Sequence, residues 1–152
     1  MNDVEIIVDD KVPALRIIRE FDAPPEKVFR AHVEPELFVR WNWEDTYSVQ
    51  FDHFDCRTGG SYRITMSGPE MAGTVYGSFH NVIRNELIVQ TFSPEGVPDL
   101  IVLEKHRFED LGGGRTRLIA QSLVESFEYR DAFIDAGLPE GYERLDQLLG
   151  EL

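Results

Sequence analysis

The sequence has a single cysteine and a shortage of positive charge. One cysteine, Cys56, cannot form an internal disulfide, which excludes a disulfide-stapled secreted domain and is typical of a reducing cytoplasm. Only 15 lysines and arginines stand against 28 aspartates and glutamates, so the formal net charge is −13. Such a surface repels polyphosphate and anionic lipid, and no local basic cluster offsets it. We therefore expect neither nucleic acid nor a membrane among the partners.

Long apolar segments and catalytic signatures are also missing. No apolar run approaches the roughly 20 residues of a membrane helix, and residues 1–10 lack the basic start and apolar centre of a signal peptide. We therefore predict a cytoplasmic protein. The four histidines form no H-x-x-x-H or H-E-x-x-H pair, and no G-x-S-x-G motif occurs. The sequence thus predicts no metal, no cofactor and no catalytic triad of that type.

What is present follows two periodicities. Residues 14–21 alternate as a strand, and two short helices follow, each beginning beside a proline that suits a first helical turn. From about residue 47 to residue 123 the apolar period is two, in several short segments. The segment EDLGGG at 109–114 joins the last two of these as a hairpin, because glycine adopts positive φ without strain. An antiparallel sheet is therefore predicted.

The chain returns to helix at its end. Residues 126–136 form one predicted piece that breaks at Gly137, and a second piece begins at Pro139 and carries an apolar stripe. A sheet with one face to cover and a helix with one stripe to bury predict an α+β fold. We expect one domain over residues 1–152, with residues 1–12 as a loose or edge-pairing lead-in.

Polar residues fall in rows that should face the core. Alternation from Val102 and Phe108 places Glu104 and His106 on the apolar face of their strand, and the same rule places Arg19 and Ser122 in apolar rows. An unpaired buried charge is too costly to persist. Three interpretations stay open: a structural ion pair of Arg19 with Glu104 beside His106, polar anchors for a ligand, or a catalytic acid and base.

Aromatic residues are numerous for a domain of this size. Core packing explains most of them, since aromatic side chains dominate core burial. A curved sheet also needs something to fill its concave side, so part of the set is expected to line a cavity. Trp43 is the best candidate, because it follows the end of a helix among polar neighbours.

Several segments together resemble a known family. They are APPEKVFRA, a tryptophan (Trp41) ending the second helix, DCRTGGSYR, GTVYGSFHNVIRNELIVQTF, FEDLGGGRTRL and EGYERLDQLL, in this order over residues 13–150. The chain thereby resembles the START-like (SRPBCC) superfamily, and within it the bacterial proteins grouped with the activator of the heat-shock-protein-90 ATPase homologue.

The resemblance implies a helix-grip fold, in which a curved antiparallel sheet of about six to seven strands wraps a C-terminal helix and encloses a cavity, with two short helices after the first strand. Members bind lipids or polyketides, act as aromatases or cyclases, or serve as co-chaperones, and no catalytic motif is common to them.

We therefore predict a protein that binds a small hydrophobic or aromatic molecule between the sheet and the last helix. The alternatives are a co-chaperone-like interaction domain that binds a chaperone, and a polyketide cyclase- or aromatase-like enzyme. No catalytic residue is assigned, and an enzyme is the less favoured interpretation. The candidate cavity residues are Arg19, Trp41, Trp43, Tyr62, Tyr76, Phe92, Glu104, His106, Ser122 and Phe133.

Overall fold

A computed structural model describes residues 3–97, 99–135 and 138–152. Within these residues the chain forms eight strands and four helices. The strands are β1 (Glu5–Val8), β2 (Ala14–Phe21), β3 (Ser48–Phe54), β4 (Ser61–Ser67), β5 (Ala72–Ile83), β6 (Leu87–Pro94), β7 (Val102–Gly112) and β8 (Arg115–Leu123). The helices are α1 (Pro25–Val33), α2 (Pro35–Asn42), α3 (Phe127–Ile134) and α4 (Leu138–Glu151).

All eight strands belong to one antiparallel sheet in the order β1-β2-β8-β7-β6-β5-β4-β3. The α+β helix-grip prediction is confirmed, but the predicted count of six to seven strands is too low. The difference is β1, because the lead-in pairs with β2 from Glu5 opposite Ile18 to Val8 opposite Leu15. Register shifts in β3, β5 and β7 mark bulges, which bend strands and help the sheet curve.

The helices begin and end where local chemistry favours it. Pro25 and Pro35 occupy the first turns of α1 and α2, where a missing N–H costs nothing. Ser126 caps α3 by accepting a hydrogen bond from the Tyr129 backbone N–H at 3.1 Å. The predicted break at Gly137 lies outside the described residues.

The core lies between the concave face of the sheet and α4. The apolar stripe predicted for this helix is buried, since Leu145 is fully enclosed and Tyr142, Leu148 and Leu149 are at most 6% exposed. On the sheet side, β2 and β8 bury alternate residues, including Leu15, Ile17, Leu118 and Ala120. Around α2 the core is aromatic. Ring contacts there join Trp41 to His32 and Phe38, and Phe54 to Tyr62.

Strand β3 breaks the predicted period of two. Alternation continued from Val49 and Phe51 predicts that His53 shares their face, but β3 has a bulge between Phe51 and His53. The bulge reverses the alternation, so His53 is exposed and Phe54 turns inward against Phe38, with ring centroids 5.2 Å apart.

Candidate functional site

A cavity of about 280 Å³ lies between the sheet and helices α2 and α4. Its wall is mainly aromatic and aliphatic, with polar groups from β6, β7 and α1. The lining residues are His32, Phe38, Trp41, Asn42, Trp43, Tyr62, Ile64, Met66, Met71, Val75, Gln90, Phe92, Glu104, His106, Phe133, Gly141, Tyr142 and Arg144.

The structure brings together seven of the ten residues that the sequence predicted for a cavity. Trp41 and Trp43 come from the end of α2, Tyr62 from β4, Phe92 from β6, and Phe133 from α3; Glu104 and His106 come from β7. Met71, which is 55% exposed, also lines the space and so marks its opening to solvent.

The other three predicted residues lie elsewhere. Arg19 is buried, and its Nη2 is 3.4 Å from the Asp146 carboxylate on α4. Ser122 is buried on β8 and does not line the cavity. Tyr76 is exposed, because its neighbour Val75 takes the cavity side of β5 and successive strand residues point to opposite faces.

Of the three open interpretations, the Arg19–Glu104 ion pair is wrong. Strand β8 lies between β2 and β7, so these two strands are not neighbours. The register sets Arg19 opposite Leu118, and Leu118 opposite Phe108, which is four residues along β7 from Glu104. Four residues of strand correspond to roughly 13 Å, beyond the reach of an ion pair.

Glu104 instead pairs with a neutral partner. Gln90 lies opposite it in the β6–β7 register, and the Gln90 side-chain amide donates a hydrogen bond to Glu104 Oε1 at 3.1 Å. Burial raises the pKa of Glu104 to about 7, against a smaller opposite effect of the Gln90 hydrogen bond. Close to neutral pH, this carboxyl group is therefore divided between its protonated and ionised forms.

Two histidine rings line the same cavity as this carboxyl group. His106, opposite Ile88 on β6, has its ring centroid 5.5 Å from that of His32, which comes from α1. Burial lowers the pKa of His32 to about 4. Burial and the neighbouring His32 lower the pKa of His106 to about 3. Both rings are therefore neutral at physiological pH.

The hydrogen bonds fix the tautomer of His32. Its Nδ1 lies 2.8 Å from the Val28 carbonyl oxygen, which can only accept, so Nδ1 carries the proton and Nε2 is an acceptor. His32 Nε2 and His106 Nδ1 are buried and find no hydrogen-bond partner among the described residues. The other two such atoms among the described residues, Nε and Nη1 of Arg19, do not line the cavity. Buried polar atoms are normally satisfied, so two exceptions on neighbouring rings beside an open space point to a site.

Tyr62 closes the sheet side of the site. Its hydroxyl donates to the Thr91 carbonyl oxygen on β6 at 2.7 Å, passing over Gly77 of the intervening strand. A Cβ at position 77 would overlap this carbonyl and come within 2.7 Å of the Tyr62 hydroxyl. Burial, and secondarily the Glu104 charge, raise the pKa of Tyr62, so the hydroxyl stays protonated.

The helix side is held by hydrogen bonds from α4 and α1. Arg144 donates from Nε to the Trp41 carbonyl oxygen at 3.0 Å, while the Trp41 indole N–H donates to the Ala31 carbonyl at 2.8 Å. The Trp41 ring is 5.8 Å from that of Tyr142 and 5.0 Å from that of His32. These contacts fix the aromatic wall in one arrangement.

Sequence reasoning missed His32 and Gln90. His32 follows Val28 and Phe29 by four and three residues, and this helical spacing would have placed it on the buried face of α1. Gln90 alternates with Ile88 and Phe92, which would have placed it in their row. Both signals were present in the sequence.

Neither a metal-binding cluster nor a membrane-spanning helix occurs in the described part of the chain. No three His, Cys, Asp or Glu side chains there lie close enough to hold a metal ion. None of the helices in the described residues has the length and apolar character that a membrane crossing needs.

Comparison with known proteins identifies the family. The model of the family described as activator of Hsp90 ATPase homolog 1-like protein matches residues 22–150. A solved Rhodobacter sphaeroides protein has a TM-score of 0.82 and 23% identity, covering 97% of this chain and 99% of that one. An Arthrobacter aurescens protein has a TM-score of 0.83 and 22% identity, covering 97% and 92%.

A Mycobacterium smegmatis protein is similar to the same extent, with a TM-score of 0.81 and 22% identity over 97% of this chain and 98% of that one. At such identities the likeness establishes the fold alone. No curated protein is significantly similar in sequence. Because the family model spans most of the sequence, this chain belongs to the activator of Hsp90 ATPase homolog 1-like family.

Proposed function

We propose that this protein binds a small aromatic or hydrophobic molecule in the cavity between the sheet and α4. The observation that carries the proposal is a largely aromatic cavity of about 280 Å³ with His32 Nε2 and His106 Nδ1 unpartnered at its wall. Apolar walls with a few placed polar groups are typical of ligand sites. A tightly packed core would not leave this space.

The volume limits the size of the ligand. An apolar cavity of about 150 Å³ accepts benzene, whereas pockets for drug-sized molecules span roughly 300–1,000 Å³. A space of about 280 Å³ therefore suits a molecule of one or two fused rings. A longer ligand would have to extend past Met71 into solvent.

The two tryptophans provide a direct assay. Trp41 and Trp43 are the only tryptophans in the chain, and both line the cavity. We expect naphthalene-sized compounds to shift both indole N–H resonances in ¹H–¹⁵N spectra, in a saturable manner. Absence of any shift for a panel of one- to three-ring aromatics and fatty acids would refute the proposal.

A pair of substitutions separates the cavity from the surface. Val75 lines the cavity, so Val75→Phe should fill part of it and weaken binding about tenfold or more. Val89 alternates with the inward-facing Ile88 and Gln90 and so takes the outer face of β6. Val89→Phe adds the same volume there and should bind like the wild type.

Family membership supports a second candidate, a chaperone-binding domain. The net charge of −13 would steer it toward a basic surface of the partner. We expect retention by the middle domain of the heat-shock-protein-90 chaperone at low salt and its loss at high salt. No retention at low salt would remove this candidate, and equal retention of Val75→Phe would show that the cavity has no part in it.

A further inference from the structure

We propose that the cavity selects a neutral aromatic molecule carrying a hydroxyl group and rejects aromatic carboxylates, with His32 and Glu104 as the groups that discriminate. This inference rests on the proposed ligand-binding function and specifies the chemical class of the ligand. It follows from the donors and acceptors at the cavity wall rather than from the size of the space.

The wall offers one buried acceptor whose protonation state is fixed. The proton of His32 is already committed to the Val28 carbonyl, which leaves Nε2 as a buried acceptor. The Tyr62 hydroxyl proton is committed to Thr91. A ligand hydroxyl can donate to His32 Nε2, whereas a carboxylate has no proton to donate and would leave this nitrogen unsatisfied.

Charge at the wall acts in the same direction. The Arg144 guanidinium, which lines the cavity from α4, donates from Nε to the Trp41 carbonyl and from Nη2 to the Asn42 carbonyl at 3.5 Å. Both histidines are neutral, because burial lowers their pKa values. A ligand carboxylate would be desolvated in a cavity that also holds the Glu104 carboxyl group, and the one cation among the lining residues, Arg144, is already bonded to two backbone carbonyls.

An ammonium ligand fits less well than a hydroxyl. The Glu104 carboxylate already accepts a hydrogen bond from Gln90 and carries a proton for part of the time near neutral pH. It is therefore an incomplete counter-ion for a buried cation. A protonated Glu104 can instead donate to the oxygen of a bound hydroxyl, which then makes two hydrogen bonds.

A matched set of ligands tests the inference. We would measure by calorimetry the affinities of 2-naphthalenemethanol, 2-naphthoate and 2-naphthylmethylammonium, which share one ring system and differ in the polar group. The alcohol is expected to bind at least about tenfold more tightly than either ion at pH 7.5. An equal or tighter affinity for an ion would overturn the inference and leave the ligand-binding proposal intact. If none of the three bound, both the inference and the ligand-binding proposal would be overturned. The same would follow if no naphthalene-sized compound bound.

Substitution of Glu104 tests the role of its charge. Glu104→Gln removes the charge and adds an amide donor, so the preference for alcohol over carboxylate should fall toward unity. Glu109→Gln, an exposed position on the same strand, is the control and should keep the wild-type ratio. Retained alcohol binding shows that a variant is folded. An unchanged ratio in Glu104→Gln would exclude Glu104 as a discriminating group.

The pH dependence in the wild type gives an independent measurement. The ratio of alcohol to carboxylate affinity should rise about tenfold between pH 6 and pH 8 as Glu104 ionises, and should be flat in Glu104→Gln. The other ionisable or amide side chains that line the cavity with Glu104, from β4, β6, β7, α1, α2 and α4, are Tyr62, Gln90, His106, His32, Asn42, Tyr142 and Arg144. The pKa values of the histidines lie below this range and those of the tyrosines are raised above it. A ratio independent of pH in the wild type would overturn the role of Glu104 even if the variant failed to fold.

Discussion

The buried histidines predict how stability depends on acid. In the folded state, burial lowers the pKa of His32 to about 4 and that of His106 to about 3, whereas an unfolded chain has histidine pKa values near 6.5. Below pH 6.5 the two histidines bind protons in the unfolded chain but not in the folded protein. The stability associated with these two neutral rings is therefore complete above pH 6.5 and is lost as pH falls toward their folded pKa values.

The size of this loss follows from the difference between the pH and the unfolded-state pKa of 6.5. At pH 5 this difference is about 1.5 units, and each unit corresponds to about 1.4 kcal/mol. Each histidine therefore lowers the free energy of unfolding by about 2 kcal/mol. Glu104 acts in the opposite sense, because burial raises its pKa to about 7 from an ordinary value of 4.5. Between pH 7 and pH 5 the folded state takes up its proton and gains about 2.5 kcal/mol. The net loss from these three groups is about 1.5 kcal/mol.

Variants separate the opposing contributions. His106→Phe keeps a ring of similar size and removes a nitrogen that has no partner among the described residues, so it should cost little at pH 7.5. Its stability should then change by less than about 1 kcal/mol between pH 7.5 and pH 5. Glu104→Gln removes the compensating group and should lose about 4 kcal/mol over the same range.

Urea denaturation at a series of pH values and constant ionic strength measures these free energies of unfolding. His80 is exposed, and His80→Gln should follow the wild-type curve. If His106→Phe lost stability as steeply as the wild type, burial would not hold this ring neutral. If Glu104→Gln followed the wild-type curve, the carboxyl group would already be ionised at neutral pH, and its proposed protonation in the cavity would fail.

Three further predictions concern the frame that holds the cavity, each measured by urea or thermal unfolding. Gly77→Ala places a methyl group against the Thr91 carbonyl and should cost about 1–3 kcal/mol; a neutral result would mean that β5 shifts freely. Leu145→Ala empties a fully buried position on α4 and should cost about 2–5 kcal/mol, and a smaller loss would show that α4 collapses onto the gap. Asp146→Asn removes the charge opposite the buried Arg19 guanidinium and should lower the free energy of unfolding by about 1–2 kcal/mol. An unchanged unfolding midpoint would contradict this prediction.

Alternation along single strands predicted much of the concave face. The buried rows of β2, β4 and β8 follow the pattern of apolar residues, because a strand turns successive side chains to opposite faces whatever its neighbours are. The polar residues within those rows were placed on the correct face for the same reason. Glu104 and His106 thus face the core side of β7, as predicted, and the stripe of α4 is buried.

What alternation lacks is the relation between strands. It places Arg19 and Glu104 on one face of the sheet but does not reveal that β8 separates β2 from β7. The distance between the two charges depends on strand order and register, which are set by long-range packing rather than by local sequence. The bulge in β3 was missed for a similar reason, since an extra residue leaves no mark in the alternation until the partner strand is known.

The polar wall of the cavity reduces the stability of the fold. His32 and His106 keep nitrogen atoms without protein partners in the described structure, and Glu104 is held partly protonated against its ordinary chemistry. Apolar side chains of equal volume would be neutral or stabilising at such positions. These three side chains lie on one stretch of the concave face, where space lies beside them. The other unpartnered buried nitrogens among the described residues, Nε and Nη1 of Arg19, lie on β2 away from the cavity. A ligand hydroxyl that donates to His32 Nε2 would satisfy this nitrogen and oppose its protonation. Ligand binding should therefore lower the pKa of His32 further, and both the affinity and the pKa report on the same hydrogen bond.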